Sequence, residues 1–163
     1  MGQATKDILI KTEKHLDSIS NQLIEELTKI TEGNWGLPES TSIKKAALLD
    51  IEVFMDGYRL VLYPMNKKST QLGYRNLLQE EYPHGLLNGE ELHPNFDDYD
   101  FLDEDGKKDL DEFDKAQKDI FINWFASCWN KIDSSKLTIP TYLCFHGSFS
   151  SLDLKNNKWT HDK

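Results

Sequence analysis

The strongest helical pattern in the chain covers residues 109–132. Asp109 and Glu112 fit a capping pair at its start, and the acidic first turn suits the positive end of a helix dipole. Large apolar side chains then recur at separations of three and four, which places them on one helix face: Leu110, Phe113, Ile120, Phe121, Trp124, Phe125, Cys128 and Ile132. The pattern predicts one long helix, roughly 36 Å from end to end.

A second amphipathic helix is predicted over residues 5–32. Its apolar side chains fall seven residues apart, and Gly33 with Asn34 provides a left-handed stop after it: Leu9, Leu16, Leu23 and Ile30. A heptad spacing is also compatible with a coiled-coil dimer. Polar Thr12 and Glu26 interrupt the second seam position, so packing on a sheet is the favoured interpretation.

Residues 48–64 carry the pattern of a β-hairpin. Asp56-Gly57 is a preferred dipeptide for a two-residue turn. Counting outward from it pairs Met55 with Tyr58, Val53 with Leu60 and Ile51 with Leu62, all on one buried face. The other face carries a mixed set and is predicted to be partly wet: Asp50, Glu52, Phe54, Arg59, Val61 and Tyr63.

The rest of the chain has weaker periodicity. Residues 66–106 form a long connecting segment with a short helix predicted over 71–82. It either folds over the sheet or is a mobile binding segment, and apolar residues that include Leu86, Leu87 and Leu92 favour the first interpretation. A second strand pair is predicted within 136–160, where Leu143 and Phe145 face one side and Tyr142, Cys144 and His146 the other. Trp35 and Trp159 are predicted to be aromatic anchors.

These elements predict a single α+β domain over residues 1–163. The expected architecture is an antiparallel sheet of about four strands with two main helices packed on it, in the order α-β-β-(long loop)-α-β-β. Cys128 and Cys144 both lie in apolar patterns and are predicted to be buried thiols of a reducing compartment. The N-terminus has no signal-peptide core and no run is apolar enough to span a membrane, so a soluble, cytoplasmic protein is expected.

Charge is distributed unevenly along the chain. The formal net charge is −9, and residues 97–114 contain ten carboxylates against two lysines, which accounts for −8 of it. Arg59 and Arg75 are the only arginines. Because phosphate recognition favours clustered arginine on a basic face, the composition argues against direct nucleic-acid binding.

Two motifs suggest chemistry. The stretch 101–112 places Asp103, Asp105, Asp109 and Glu112 at calcium-loop positions, but Phe101 replaces the first ligand, so a solvated acidic loop is the favoured interpretation. Cys144 and His146 share one face of a strand and could form a thiolate–imidazole pair in an enzyme. Structural roles are favoured for both, and no catalytic motif, metal site or cofactor is predicted.

The segments 124–132 (WFASCWNKI) and 139–147 (IPTYLCFHG), with the closing LDL and Trp159, resemble small acidic bacterial immunity proteins of polymorphic-toxin systems and uncharacterised bacterial proteins. The resemblance implies a lone α+β domain that binds and blocks a toxin. It assigns no functional residue.

The leading hypothesis is therefore a non-enzymatic binding protein, monomeric or homodimeric, whose acidic surface meets a basic protein partner. The alternatives are an acidic dimeric chaperone for a secreted effector, or an enzyme using Cys144 and His146. The predicted partner-binding residues are Asp97, Asp98, Tyr99, Asp100, Phe101, Asp103, Glu104, Asp105, Asp109, Asp111 and Glu112.

Overall fold

A computed structural model describes residues 1–38, 43–93 and 104–161. Within these ranges the chain forms three α-helices and six β-strands. The helices are α1 Gln3–Ser18, α2 Ser20–Thr31 and α3 Glu104–Trp129. The strands are β1 Leu48–Phe54, β2 Arg59–Met65, β3 Arg75–Asn76, β4 Thr141–Phe145, β5 Ser151–Asp153 and β6 Lys158–Thr160. Single 3₁₀ turns lie at Ile43–Lys45, Glu90–Leu92 and Ser134–Lys136.

All six strands belong to one mixed sheet, in the order β3-β2-β1-β4-β5-β6. Strands β1 and β4 are adjacent and parallel, whereas every other neighbouring pair is antiparallel. The α+β class is confirmed. The prediction of an antiparallel sheet of about four strands with two helices is wrong, because the hairpins join through a parallel central pair and because short strands extend both edges.

The parallel pair follows from the position of α3 in the chain. A helix of 26 residues is roughly 39 Å long, so it carries the chain back across the sheet before β4 begins. Strand β4 therefore enters from the same end as β1, and Ile51 is paired with Leu143. Such a crossover is the usual way to place two parallel strands side by side.

The helices cover one face of the sheet. Phe121 of α3 has its ring centroid 5.0 Å from that of Tyr58 and 6.3 Å from that of Phe145. The core between the two layers contains the inward-facing residues of the central strands and the apolar faces of all three helices. Its most completely buried side chains include Leu16, Leu23, Leu27, Ile30, Leu49, Ile51, Val53, Leu62, Phe121 and Phe125.

Both helix predictions need correction at their boundaries. The predicted helix 5–32 is two helices, α1 and α2, separated at Ile19. At this junction the Ser20 hydroxyl donates to the Leu16 carbonyl and accepts a hydrogen bond from the Trp124 indole at 2.9 Å. The heptad side chains of α1 and α2 from Leu16 onward are buried inside one chain, so the apolar face suggested for a coiled coil is occupied by the protein's own core.

The predicted helix 109–132 is α3, which begins five residues earlier and ends three residues earlier. Asp109 and Glu112 are therefore inside the helix, and the predicted capping pair is wrong. Its acidic first turn is instead formed by Glu104 and Asp105, where carboxylates suit the positive end of the dipole. The apolar face is confirmed, since Phe113, Phe121 and Cys128 are buried.

The β1–β2 hairpin has the predicted register. Val53 is paired with Leu60 and Ile51 with Leu62. The pairing of Met55 with Tyr58 is wrong, because the strands end one residue earlier on each side and residues 55–58 form a four-residue turn. Met55 consequently remains 37% exposed, whereas Tyr58 adopts a φ of 58° and is buried.

The described part of the segment between β2 and α3 packs against the hairpin. The short helix predicted over 71–82 does not form; the chain makes β3 and a series of turns there instead. The Leu77 amide donates to the Leu60 carbonyl and the Leu87 amide to the Gly57 carbonyl, at 2.9 and 2.8 Å. Leu86 and Leu87 are buried and Leu92 is partly buried against the core.

The two predicted tryptophan anchors differ in outcome. Trp35 is buried, and its indole N–H donates to the Ile30 carbonyl at 3.0 Å, so it closes the end of the core beyond α2 as predicted. Trp159 lies on the edge strand β6 and is 46% exposed, so its prediction as an anchor is wrong. An edge strand of three residues has no neighbour on its outer side among the described residues to cover the ring.

A buried amide connects α3 to α1. The Gln117 side-chain amide donates to the Thr12 hydroxyl at 3.1 Å and to the Leu92 carbonyl at 3.0 Å. Thr12 in turn donates to the Ile8 carbonyl. This network holds α1, α3 and the 3₁₀ turn at Glu90–Leu92 together in an otherwise apolar layer.

Replacing Gln117 by leucine is expected to lower the free energy of unfolding by about 1–3 kcal/mol, because the partly buried Leu92 carbonyl and the buried Thr12 hydroxyl lose their donor. Urea denaturation measures the change. The matched control is Gln79→Leu, at an exposed position, which is expected to change stability by less than about 0.5 kcal/mol. Equal effects of the two substitutions would show that the network adds nothing to stability.

Candidate functional site

The described part of the predicted acidic region is the first half of α3. Residues 104–114 contain six carboxylates and two lysines, a formal charge of −4. The predicted binding residues among them are Glu104, Asp105, Asp109, Asp111 and Glu112, hereafter the acidic α3 surface. Each of these five residues is exposed or half-buried. The other predicted binding residues lie outside the described ranges: Asp97, Asp98, Tyr99, Asp100, Phe101 and Asp103.

Part of the acidic α3 surface contacts the chain's own amino group. The Met1 ammonium lies 2.8 Å from an Asp109 carboxylate oxygen and 3.4 Å from one of Glu112. The hydrogen bond to Asp109 raises the pKa of the ammonium, with a smaller contribution in the same direction from Glu112. The remaining three carboxylates of the surface have no such ion pair within the described ranges.

Asp114, in the acidic half of α3, lies near Tyr58 of the turn between β1 and β2. Burial raises the pKa of the Asp114 carboxyl, and Lys118 opposes that shift. Burial also raises the pKa of Tyr58, and Asp114 adds to the shift. The Tyr58 hydroxyl is buried and has no hydrogen-bond partner within the part of the chain described here. The desolvation of these two polar groups shows that α3 packs against the hairpin turn at this point.

The prediction of a calcium loop at 101–112 can be compared with the structure only from residue 104 onward. These residues are the first turns of α3, so Asp105, Asp109 and Glu112 are on a continuous helix instead of a coordinating loop. Across the described residues, no group of three or more histidine, cysteine, aspartate or glutamate side chains is arranged to hold a metal ion.

A second candidate lies on the face of the sheet opposite the helices. A cleft of about 380 Å³ opens there over β1, β2 and β4. It is lined by Asp50, Glu52, Phe54, Tyr63, Met65, Gln71, Cys144 and His146, hereafter the sheet cleft. Strand alternation brings these side chains together, because Asp50 pairs with both Tyr63 and Tyr142, and Glu52 pairs with Cys144.

The polar groups of the sheet cleft contact one another closely. Nδ1 of His146 lies 2.9 Å from Oε1 of Glu52. The His146 ring stacks on Phe54, with centroids 4.4 Å apart and planes 20° apart. The Arg59 guanidinium lies 5.1 Å from the centroid of the same Phe54 ring. Burial, and then the nearby Glu52 carboxylate, raise the pKa of Tyr63.

The structure places the two predicted enzyme residues in this cleft. Cys144 is buried and His146 is exposed, and both are on the predicted common face. Two residues along a strand separate their backbones by about 7 Å, and the Nδ1 atom of His146 is directed at Glu52. Cys128, in contrast, is in the core, where burial raises the pKa of its thiol. Neither cysteine forms a disulfide.

The partners of His146 in the sheet cleft were not identified as a site from the sequence. The sequence predicts only that Glu52 and Phe54 lie on the mixed, partly wet face of the β-hairpin. Alternation placed them on one side of β1, as it placed Cys144 and His146 on one side of β4. Joining the two sets required the parallel β1–β4 pairing, for which the sequence has no local signal.

Comparison of the chain with protein-family models, with curated proteins and with solved structures finds no match. In the described ranges, none of the helices is both long enough and apolar enough to cross a membrane.

Proposed function

We propose that this chain is a cytoplasmic, non-enzymatic binding protein whose acidic α3 surface contacts a basic protein partner. The observation that carries the proposal is the position of the carboxylates. Five of them project from the first turns of a helix whose later turns are fixed in the core by Phe121, Phe125 and Cys128. The charges are therefore presented by a rigid element, so little ordering is needed on binding.

Electrostatics gives this surface two roles. A concentration of negative charge increases the rate at which a basic partner is encountered, and it selects against acidic competitors. The sequence resemblance to immunity proteins supplies the most concrete version, in which the carboxylates mask the cationic active site of a toxin. In that version the Met1 ammonium, now paired with Asp109 and Glu112, is displaced by the partner's own cations.

The proposal is tested by affinity capture from the native host with two variants of equal charge. The first carries Asp105→Asn, Asp109→Asn, Asp111→Asn and Glu112→Gln. The control neutralises four exposed carboxylates elsewhere, Glu13, Asp17, Glu80 and Glu81. Circular dichroism checks that both variants are folded.

We expect the wild-type protein and the control to retain a basic polypeptide that the α3 variant loses. We also expect the captured polypeptide to be retained much more weakly at about 300 mM salt than at about 50 mM. At the higher concentration the attraction between exposed charges extends only a few ångströms. Capture that is insensitive to salt and equal for the two variants would contradict the proposal.

A further inference from the structure

We propose that Asn88 deamidates spontaneously in the folded protein, through attack of the Gly89 backbone nitrogen on its side-chain amide. Asn88-Gly89 is the one place in the chain where a glycine follows an asparagine. The pair lies in the turns between β3 and the 3₁₀ turn at Glu90–Leu92. This site is separate from the acidic α3 surface, so it does not depend on the proposed function.

The reaction needs only water as a second reactant. The Gly89 nitrogen forms a bond to Cγ of Asn88, the bond from Cγ to the side-chain nitrogen breaks, and ammonia leaves with the proton that Gly89 gives up. Because the two groups are neighbours in one chain, this attack is intramolecular and closes a five-membered succinimide ring. Water then opens the ring on either side of its nitrogen. One opening gives aspartate at position 88, and the other gives isoaspartate, in which the backbone runs through Cβ and Cγ.

Glycine leaves the attacking nitrogen accessible. A side chain at residue 89 would stand beside that nitrogen, whereas glycine has no Cβ atom. The surroundings of Gly89 are also open, since a Cβ atom built there meets no atom within 4 Å. No other part of the described chain therefore crowds the glycine side of the ring that would form.

Neither reacting group is held by a hydrogen bond. Among the described residues, the Asn88 side-chain amide has no hydrogen-bond partner, and the Gly89 N–H group donates to none. A paired group would first have to lose its hydrogen bond, which costs free energy. Asn88 is also exposed, so water reaches the ring for the second step. The structure thus leaves both steps of the reaction unobstructed.

Asn66 provides a contrast within the same chain. Its side-chain carbonyl accepts hydrogen bonds from the Lys68 and Thr70 N–H groups, at 2.8 and 3.0 Å. The residue after it is Lys67, whose side chain stands beside the backbone nitrogen. Both conditions met at Asn88 are missing here, so Asn66 is expected to stay intact while Asn88 converts.

Isoaspartate would alter a segment that is anchored on both sides. The Leu87 amide donates to the Gly57 carbonyl, and the Gly89 carbonyl accepts from the Leu92 amide, at 2.8 and 2.9 Å. Isoaspartate adds one methylene to the backbone between these anchors, so the two hydrogen bonds cannot both keep their geometry. It also adds a carboxylate to a cleft of about 460 Å³ that Asp56 lines as well. We therefore expect the converted protein to unfold at a lower temperature.

The test is peptide mapping by mass spectrometry of full-length protein aged in warm, mildly alkaline buffer. Exchange of NH₂ for OH changes the mass of the peptide that contains residue 88, and electron-transfer fragmentation distinguishes isoaspartate from aspartate. We expect conversion at Asn88 to exceed that at Asn66 and to yield both products. A synthetic peptide of residues 85–92 gives the rate without the fold, and we expect the folded protein to react within about tenfold of that rate.

Variants separate ring closure from direct hydrolysis of the amide. Gly89→Ala is expected to convert about tenfold more slowly, because a side chain then stands beside the attacking nitrogen. Asn88→Ser removes the reacting amide and is expected to show no mass change at position 88, which gives an independent result if Gly89→Ala fails to fold. Asn88→Asp adds the charge without lengthening the backbone, so it separates these two effects on the unfolding temperature.

The proposal fails on any of three results. The first is an Asn88 that stays intact in the folded protein, or that converts more slowly than the peptide by more than about tenfold, since the fold would then block ring closure. The second is equal conversion at Asn88 and Asn66. The third is conversion to aspartate alone at an unchanged rate in Gly89→Ala, which would mean hydrolysis without the ring. Equal unfolding temperatures of fresh and fully converted protein would contradict the expected change in the segment.

Discussion

Truncating Phe121 to alanine is expected to destabilise the domain by about 3–5 kcal/mol, the cost typical of removing a buried aromatic ring. Phe121 is fully buried at the centre of the helix–sheet interface. Its ring contacts those of Tyr58, Trp124 and Phe145, so one side chain joins the hairpin turn, α3 and β4. The substitution therefore creates a cavity where three elements meet, and surrounding rings can collapse into it only partly.

Urea denaturation followed by tryptophan fluorescence measures this loss. Phe149→Ala is the matched control, since that ring is 94% exposed and its removal is expected to change stability by less than about 0.5 kcal/mol. A loss below about 1.5 kcal/mol for Phe121→Ala would place Phe121 outside the structural centre of the fold.

Gly85→Ala is expected to have the next largest effect, a loss of about 3 kcal/mol or more. Gly85 has a φ of +101°, a conformation that side-chain-bearing residues rarely adopt. A Cβ atom here would also overlap the Gly57 carbonyl oxygen, which already accepts the Leu87 amide at 2.8 Å. The segment around Gly85 must therefore move off the hairpin turn, exposing the buried Leu86 and Leu87.

Gly89→Ala controls for the loss of glycine itself. Its backbone is extended, with a φ of −177°, and a Cβ atom there would meet no atom within 4 Å. We expect a change within about 1 kcal/mol of wild type, with either sign. Equal midpoints for Gly85→Ala and Gly89→Ala in thermal unfolding would mean that the segment does not pack on the turn as described.

Local patterns in the sequence predicted the elements that depend on near neighbours. The alternation on either side of Asp56-Gly57 fixes the register of Ile51 with Leu62, because a slip of one residue would expose the apolar face. The spacing of Phe113, Phe121 and Cys128 predicts the buried face of α3 for a similar reason. Burial of Trp35 was also predictable, since an aromatic ring beside a helix stop can cover the end of a core.

Relations between distant segments were not predictable. Alternation shows which residues of β4 share a face, but not whether the strand runs parallel or antiparallel to β1. Edge strands of two or three residues, such as Arg75–Asn76, are too short for a periodic signal. At the break at Ile19 the Trp124 indole reaches Ser20 from another helix, and no local pattern contains that contact.

Of the two candidate sites, one could be predicted from the sequence and the other could not. The acidic α3 surface is a run in the sequence, so Asp105, Asp109 and Glu112 were predicted as binding residues without knowledge of the fold. The sheet cleft depends on pairing between β1 and β4. His146 and Glu52 are separated by 94 positions in the sequence, and only the assembled sheet brings them to 2.9 Å.

The central claim, that the acidic α3 surface contacts a basic protein, is tested most directly by photo-crosslinking in the native host. A benzoylphenylalanine is placed at Lys108, exposed within that surface, or at Lys67, exposed in the turn after β2. We predict that Lys108 alone gives a discrete adduct with a basic polypeptide, and that the four-site α3 variant abolishes it. An adduct of equal yield at Lys67, or one at Lys108 that survives neutralisation of the carboxylates, would contradict the account.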